Sequence, residues 1–149
     1  MKKLIILVAF FSFLSSCSKG DTVIMNSTGY YGKWTLVSMS GSIPNSETTG
    51  AAMEWQEFYL FNTNGTFTKS RKRNSAKTSI SGTYTTTTQS DGIYFDLTYP
   101  EDSELIGSCY GNLKEGLYLA DNNSLSSTWS YCDGPVLQYK KSLPSESLK

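Results

Sequence analysis

The feature that most constrains this chain is a succession of short strand-like runs separated by turn-forming residues. Runs rich in Thr, Ser, Tyr and Phe are punctuated by Gly, Asn and Asp, a pattern typical of β-strands joined by short turns. Asn64-Gly65 separates two runs, and this dipeptide favours a tight hairpin because both central residues need positive φ. The pattern predicts one short helix at 48–53 and strands at 33–39, 54–61, 66–71, 78–87, 92–99, 104–111, 117–120, 125–131 and 136–141.

Alternation within these runs indicates strands with one buried face. In residues 92–99 every second side chain is apolar, and Leu117 and Leu119 repeat the pattern. Eight or nine such strands with hairpin-length connections predict an all-β fold, either an up-and-down barrel or a sandwich. The chain has 149 residues, which suffices for one domain with its own core.

The amino terminus has the layout of an export signal. Lys2 and Lys3 precede the apolar run Leu4–Leu14, which is too short to span a hydrocarbon core of about 30 Å as a helix. A charged start, a short apolar middle and small residues before a cleavage point are typical of a signal peptide. We therefore expect a signal peptide over residues 1–16, followed by a flexible tether over residues 17–29.

The residues LSSC at 14–17 resemble the lipobox of bacterial lipoproteins. The resemblance implies that Cys17 receives a diacylglyceryl group, that cleavage occurs just before it, and that the lipid anchors the protein to a membrane. An aspartate after the cysteine often retains such proteins at the inner membrane, and Ser18 in its place favours the outer membrane. An ordinary signal peptide with a chance cysteine is the alternative.

Charge and histidine content exclude several classes of function. Two of the 13 basic residues lie in the predicted leader, so the remaining chain has eleven basic and thirteen acidic residues, a net charge of −2. Nucleic-acid-binding domains usually have a strongly basic surface, so we expect no nucleic-acid partner. The chain contains no histidine, so a Ser-His-Asp triad or a Cys-His pair cannot form. We expect no catalytic residue, no metal and no cofactor.

Acidic residues cluster in one predicted loop, at Glu101, Asp102 and Glu104. This cluster predicts a solvated turn, with a calcium site as the alternative. Cys109 and Cys132 remain as an even pair once Cys17 is lipidated, and in an oxidising compartment they predict a structural disulfide. It would close a loop of about 24 residues and contribute roughly 3 kcal/mol. A metal or redox pair is the alternative, but the chain lacks both CxxC spacing and histidine.

Five basic residues lie within the segment 69–77: Lys69, Arg71, Lys72, Arg73 and Lys77. One interpretation is the solvated tip of a hairpin. The other is a contact for anionic head groups, such as lipopolysaccharide or acidic glycans, or for a protein partner. The sequence leaves both open.

Gly32 and Trp34, within YGKW at 31–34, resemble the G-x-W signature of lipocalins. The run at 32–38 is similar to the opening of the related fatty-acid-binding proteins, and FxxxGTF at 61–67 and LQY at 137–139 extend the match loosely. The resemblance to lipocalin-like domains of small bacterial lipoproteins implies one up-and-down antiparallel β-barrel of eight to nine strands over residues 30–143. Trp34 would pack across its closed end, and residues 144–149 would form a polar tail.

Together these features predict a membrane-anchored lipoprotein whose barrel binds a small apolar or amphipathic ligand without catalysis. The alternative is an envelope module that binds a protein or a glycan through its surface and fills its barrel with its own side chains. Eight-stranded barrels can be filled in this way or can hold one small ligand. The presence or absence of an interior cavity therefore distinguishes the two.

We predict that Cys17→Ala abolishes lipid attachment, because the thiol that would carry the lipid is removed. The variant should persist as an unprocessed or poorly processed precursor. Metabolic labelling with a palmitate analogue, compared with the wild type, measures this directly. Undiminished incorporation in the variant would contradict the lipoprotein interpretation.

Overall fold

The computed structural model describes residues 29–109, 111–120 and 124–142. The predicted signal peptide, Cys17, the tether before Gly29 and the tail at 144–149 lie outside these residues. The described chain contains two 3₁₀ helices, Gly50–Ala52 and Thr128–Cys132. Its strands are β1 (Gly32–Ser40), β2 (Thr48–Thr49), β3 (Gln56–Phe61), β4 (Thr66–Arg73), β5 (Ala76–Gln89), β6 (Gly92–Thr98), β7 (Lys114–Ala120), β8 (Leu125–Ser127) and β9 (Val136–Lys141).

The strands form a closed up-and-down barrel. From β3 to β9 each strand pairs antiparallel with the next along the chain, and β1 pairs with both β3 and β9. Eight strands therefore close the barrel, while the two-residue β2 pairs with the distal half of β1 through Ser38 and Met39. The all-β prediction and the barrel alternative are confirmed, and the sandwich is excluded because every sheet edge of the barrel is paired.

Three predicted elements differ from the structure. No described residue of 104–111 lies in a strand, because this segment belongs to the loop between β6 and β7. The strand predicted at 125–131 ends at Ser127, and a 3₁₀ helix follows because the Ser127 side chain accepts a hydrogen bond from the Trp129 amide. The helix predicted at 48–53 is limited to the 3₁₀ turn Gly50–Ala52, which β2 precedes.

The two ends of the barrel differ in their connections. At one end, here the tight-turn end, residues 62–65 join β3 to β4 and residues 90–91 join β5 to β6. At the other, here the loop end, three long segments connect the strands: 41–55, 99–113 and 128–135. A two-residue turn also lies at the loop end, where Asn74 and Ser75 both have positive φ, as this type of hairpin requires.

Trp34 is buried at the tight-turn end, with 1% of its surface exposed. Its indole Nε1 donates to the Tyr30 carbonyl oxygen at 2.8 Å, and the Tyr30 ring packs edge-on against Phe95. Gly32 has a φ of +106°, a conformation that glycine adopts without steric cost. The residues of the G-x-W run therefore bring the preceding chain across this end of the barrel.

The predicted disulfide between Cys109 and Cys132 is present, with a Cα–Cα distance of 5.5 Å. It joins the 99–113 loop to the 3₁₀ helix Thr128–Cys132. Two loops of the loop end are thus covalently linked.

Among the described residues, the contacts that close the barrel lie between Gly29 and Ser142. A chain that begins at Ser18 contains all of these contacts and lacks the predicted leader and Cys17. We refer to it as the soluble chain, and it is the form used in the experiments below.

We predict that Trp34→Ala lowers the free energy of unfolding of the soluble chain by about 3–5 kcal/mol, because it leaves a cavity in a closed interior. Urea unfolding measures the loss. Ile43→Ala is the matched control, since Ile43 is 75% exposed and surface changes usually stay within about 0.5 kcal/mol. Equal midpoints for the wild type and Trp34→Ala would contradict the structural role of this residue.

Candidate functional site

Among the residues that the structure describes, four charged side chains are buried inside the barrel: Glu57 of β3, Lys69 and Arg71 of β4, and Glu115 of β7. We call this set the interior ion cluster. Each occupies an inward position of its strand: Glu57 lies two residues from the buried Tyr59, and Lys69 lies two residues from the buried Phe67, so each pair shares one face of its strand. Buried charges are normally paired, and these are paired with one another.

Lys69 lies at the centre of the cluster and has no exposed surface. Its Nζ donates to both carboxylate oxygens of Glu115, at 2.8 and 3.1 Å, and lies 3.6 Å from Glu57 Oε1. It also donates to the Leu105 carbonyl oxygen at 2.5 Å. One ammonium group therefore connects two carboxylates on different strands to the backbone of the 99–113 loop.

Arg71 extends the cluster towards the loop end. Its Nε donates to Glu57 Oε2 at 2.6 Å, and its Nη1 donates to the Glu104 carbonyl oxygen at 3.2 Å. The guanidinium carbon lies 4.3 Å from the Trp55 ring centroid, within the range of a cation–π contact. Its Nη2 is buried and has no hydrogen-bond partner among the described residues.

Two tyrosines complete the coordination of the carboxylates. Tyr99 donates its hydroxyl to Glu115 Oε2, and Tyr139 donates to Glu57 Oε1 at 2.6 Å. Burial raises the pKa of both phenols well above the usual value, and the adjacent carboxylates raise the pKa further. Both phenols therefore stay protonated and act as donors over the physiological pH range.

The structure divides the basic segment 69–77 between the two faces of the β4–β5 hairpin. Lys69 and Arg71 are buried, which corrects the interpretation of these two residues as part of a solvated hairpin tip. Lys69 has no exposed surface and is therefore also excluded as a surface contact, whereas Arg71 lines a small pocket. Lys72, Arg73 and Lys77 are exposed, and Lys72 is paired directly with Lys77 across the two strands. The strand period of two gives the physical reason, because it turns positions 69 and 71 towards the same side as Phe67.

The interior has little space for a ligand. Below the ion cluster, towards the tight-turn end, the buried rings of Trp34, Phe61 and Phe67 fill the barrel. Above it, Leu105 of the 99–113 loop is fully buried and acts as a plug. A cavity of about 500 Å³ has a lining that does not include Leu105.

That cavity is an open cleft of about 500 Å³ at the loop end. We call it the mouth cleft. Its apolar surface comes from Met39, Trp55, Trp129 and Pro135, and its polar surface includes Ser40, Ser46, Thr48, Glu54 and Asp133. Small-molecule sites commonly have volumes of about 300–1,000 Å³ and this mixture of apolar walls and a few polar groups.

The Trp129 ring, in the wall of the mouth cleft, packs closely against two glycines. A Cβ atom at Gly134 would lie 2.4 Å from the indole, and one at Gly107 would lie 2.7 Å from it. Both glycines thus permit a close approach that any other residue would prevent. The Gly107 amide also donates to Glu115 Oε1 at 3.1 Å. Gly107 therefore contacts both the Trp129 ring and the interior ion cluster.

Among the sequence-predicted residues, Gly32 and Trp34 lie together at the tight-turn end, whereas Cys109 and Cys132 lie at the loop end. Glu101, Asp102 and Glu104 are exposed in the 99–113 loop. Glu57, Glu115, Trp55 and Trp129 were not singled out as site residues from the sequence. The period-two signal at Leu117 and Leu119, continued backwards, places Glu115 inside the barrel.

Comparisons with protein-family models, with curated proteins and with solved structures find no match for this chain. Within residues 29–109, 111–120 and 124–142, no helix is long and apolar enough to cross a membrane. The same residues contain no group of three or more Cys, Asp or Glu side chains positioned to hold a metal ion.

We predict that the soluble chain loses stability as the pH rises above about 10. The phenols of the unfolded chain ionise near that pH, whereas Tyr99 and Tyr139 have raised pKa values in the folded protein and keep their protons. Folding therefore becomes less favourable by about 1.4 kcal/mol per pH unit for each such tyrosine.

Urea unfolding of the soluble chain between neutral and strongly alkaline pH tests this slope. Tyr139→Phe should remove one tyrosine's share of the slope, since phenylalanine cannot ionise. Tyr131→Phe is the control, because Tyr131 is 77% exposed and should leave the slope unchanged. A stability that is constant across this range would contradict the prediction.

Proposed function

We propose that this protein is a non-catalytic binding protein that holds a small amphipathic ligand in the mouth cleft of its barrel. The observation that carries the proposal is the cleft itself, with Trp55 and Trp129 in its wall. The ligand site is thus at the loop end and not in the interior, which the ion cluster and the aromatic side chains fill.

The lining of the cleft indicates the chemistry of the ligand. Indole rings provide a large apolar contact at low cost in side-chain entropy. The Nε1 atom of Trp55 is buried and has no partner among the described residues, although a buried indole usually donates a hydrogen bond. An acceptor atom on the ligand would satisfy it. An apolar body with a hydroxyl, carbonyl or ether oxygen fits both properties.

The absence of catalysis is part of this proposal. The chain has no histidine, and Glu57 and Glu115 are buried and fully engaged with Lys69, Arg71 and the two tyrosines. General acid or base catalysis requires a group within reach of the substrate. These carboxylates lie behind the Leu105 plug, where their role is structural.

We further propose that the protein is a lipocalin-like lipoprotein, anchored through Cys17 at the outer membrane. The lipobox-like LSSC at 14–17, the G-x-W run and the eight-stranded closed barrel support this placement. A lipid on Cys17 would keep the barrel close to a bilayer, because two or three acyl chains give stable attachment. A binding site at that location would be close to the amphipathic molecules of the bilayer.

We predict that Trp129→Ala weakens the binding of decanol, an amphipathic probe, by about tenfold, because it removes one apolar wall of the cleft. Isothermal titration calorimetry of the soluble chain measures the affinity. Tyr131→Ala is the matched control: Tyr131 lies in the same 3₁₀ helix but outside the mouth cleft. Mass spectrometry of molecules that copurify with the protein would identify the natural ligand class.

Equal affinities of Trp129→Ala and the wild type, or no saturable binding at all, would contradict a ligand site in the mouth cleft. The second candidate function would then be favoured. In it the filled barrel is a rigid scaffold, and its loops bind another protein or a glycan. The observations that favour this candidate are the filled interior and the two most exposed of the large apolar side chains described at the loop end, Ile43 at 75% and Tyr131 at 77%.

A further inference from the structure

A second, smaller pocket lies between the β4–β5 hairpin and the 99–113 loop. Its volume is about 320 Å³, and its lining comprises Arg71, Arg73, Asn74, Ala76, Thr78 and Glu104. We propose that this pocket binds an oxyanion, that is, a carboxylate, sulfate or phosphate group. We call it the arginine pocket.

In the lining of this pocket, Arg71 provides a buried, fixed guanidinium group, one donor atom of which is free among the described residues. Its guanidinium is held in place because Nε is bonded to Glu57 and Nη1 to the Glu104 carbonyl. Its side chain is 8% exposed, and Nη2 has no partner within the described part of the chain. A buried donor without an acceptor destabilises the protein, and a charged donor does so more strongly. An oxygen atom of a bound anion would supply the acceptor.

The rest of the lining fits an anion better than a cation. Arg73 and Arg71 contribute two guanidinium groups, the Asn74 amide and the Thr78 hydroxyl are further donors, and Glu104 is the one carboxylate among the lining residues. Guanidinium groups match the planar geometry of oxyanions and bind them through paired hydrogen bonds. Arg73 is half exposed and pairs with Glu54 at the surface, so it can exchange that partner for an anion at little cost.

The faces of the hairpin separate this pocket from the other basic residues. Lys72 and Lys77 point to the outer face, where they oppose each other, and neither lines the pocket. The two arginines line the pocket and the two lysines do not, so the two pairs lead to different expectations for anion binding, although all four residues lie within seven residues of sequence.

The arginine pocket adjoins the mouth cleft through Trp55. This ring lines the cleft, and the guanidinium carbon atoms of Arg71 and Arg73 lie 4.3 and 5.7 Å from its centroid. The same anionic group can come from two sources. One is a free anion from solution, and the other is the acidic group of an amphipathic molecule that lies in the cleft. The pocket itself does not depend on the function proposed for the cleft.

Inorganic phosphate is the probe for the pocket. In the ¹⁵N-labelled soluble chain, titration should produce a saturable shift of the Arg71 Nε–Hε resonance in NMR spectra. Arg73→Gln and Thr78→Val should each weaken phosphate binding, Arg73→Gln by about tenfold, since each charge-assisted hydrogen bond contributes roughly that factor. Arg71→Lys keeps a positive charge beside Glu57 but removes Nη2, and should weaken binding to a similar extent.

Lys72→Gln is the matched control, because it removes the same charge from the adjacent position on the outer face. Its phosphate affinity should stay within about twofold of the wild type, the range of a screened surface charge. A shift that grows linearly without saturation would overturn the proposal. An equal loss in Lys72→Gln and Arg73→Gln would also overturn it, since binding would then reflect net charge alone. If Arg71→Lys fails to fold, the Arg73 and Thr78 variants still decide the result.

Decanoate and decanol distinguish the two sources of the anion. If decanoate competes with phosphate and decanol does not, and Trp129→Ala weakens decanoate but not phosphate, the pocket holds the acidic group of the cleft ligand. If decanoate binds no better than acetate, the pocket holds a free oxyanion. Phosphate binding that persists in Trp129→Ala supports the arginine pocket even where the mouth cleft proves not to be a ligand site.

Discussion

The ammonium group of Lys69 is the interaction on which the rest of the loop end depends. It lies fully buried between Glu115 and Glu57 and holds the carbonyl oxygen of Leu105. Removing one partner from such a cluster costs about 3–5 kcal/mol, because the remaining charges stay buried without compensation, whereas replacing the whole set with apolar residues can be neutral. We therefore expect the cluster to specify one arrangement of strands and loop more than to add net stability.

This arrangement determines what the barrel can bind. The 99–113 loop is drawn inwards because its carbonyl oxygens at Glu104 and Leu105 accept hydrogen bonds from the two buried cations. The same loop brings Gly107 against Trp129, and the disulfide through Cys109 secures it to the neighbouring 3₁₀ helix. The interior is closed as a result, and the proposed binding surfaces, the mouth cleft and the arginine pocket, both lie at the loop end.

Local sequence rules predicted the strands but not this loop. Period-two alternation and the Asn64-Gly65 turn located eight of the nine barrel-region runs, because those signals depend on neighbouring residues only. The run at 104–111 has strand-like composition, yet its carbonyl groups bond to side chains from a distant strand, which no local pattern reports. Period two turns Lys69 and Arg71 to the same side as Phe67, but it does not show how their buried charges are compensated. Their partners Glu57 and Glu115 lie 12 or more residues away in the sequence, beyond the reach of local rules.

The pairing of β1 with β9 has a consequence for how the molecule forms. Trp34 and Lys141 are partners in that ladder, so the first strand is completed only by the last. Contacts between such distant parts of a chain make folding slow, and until β9 is available β1 keeps an unpaired edge that can recruit other strands. The barrel therefore closes only when the whole chain is present. A chain that ends before Val136 lacks β9, so β1 and β8 keep unpaired edges, and we expect such a chain to aggregate or to be degraded by proteases.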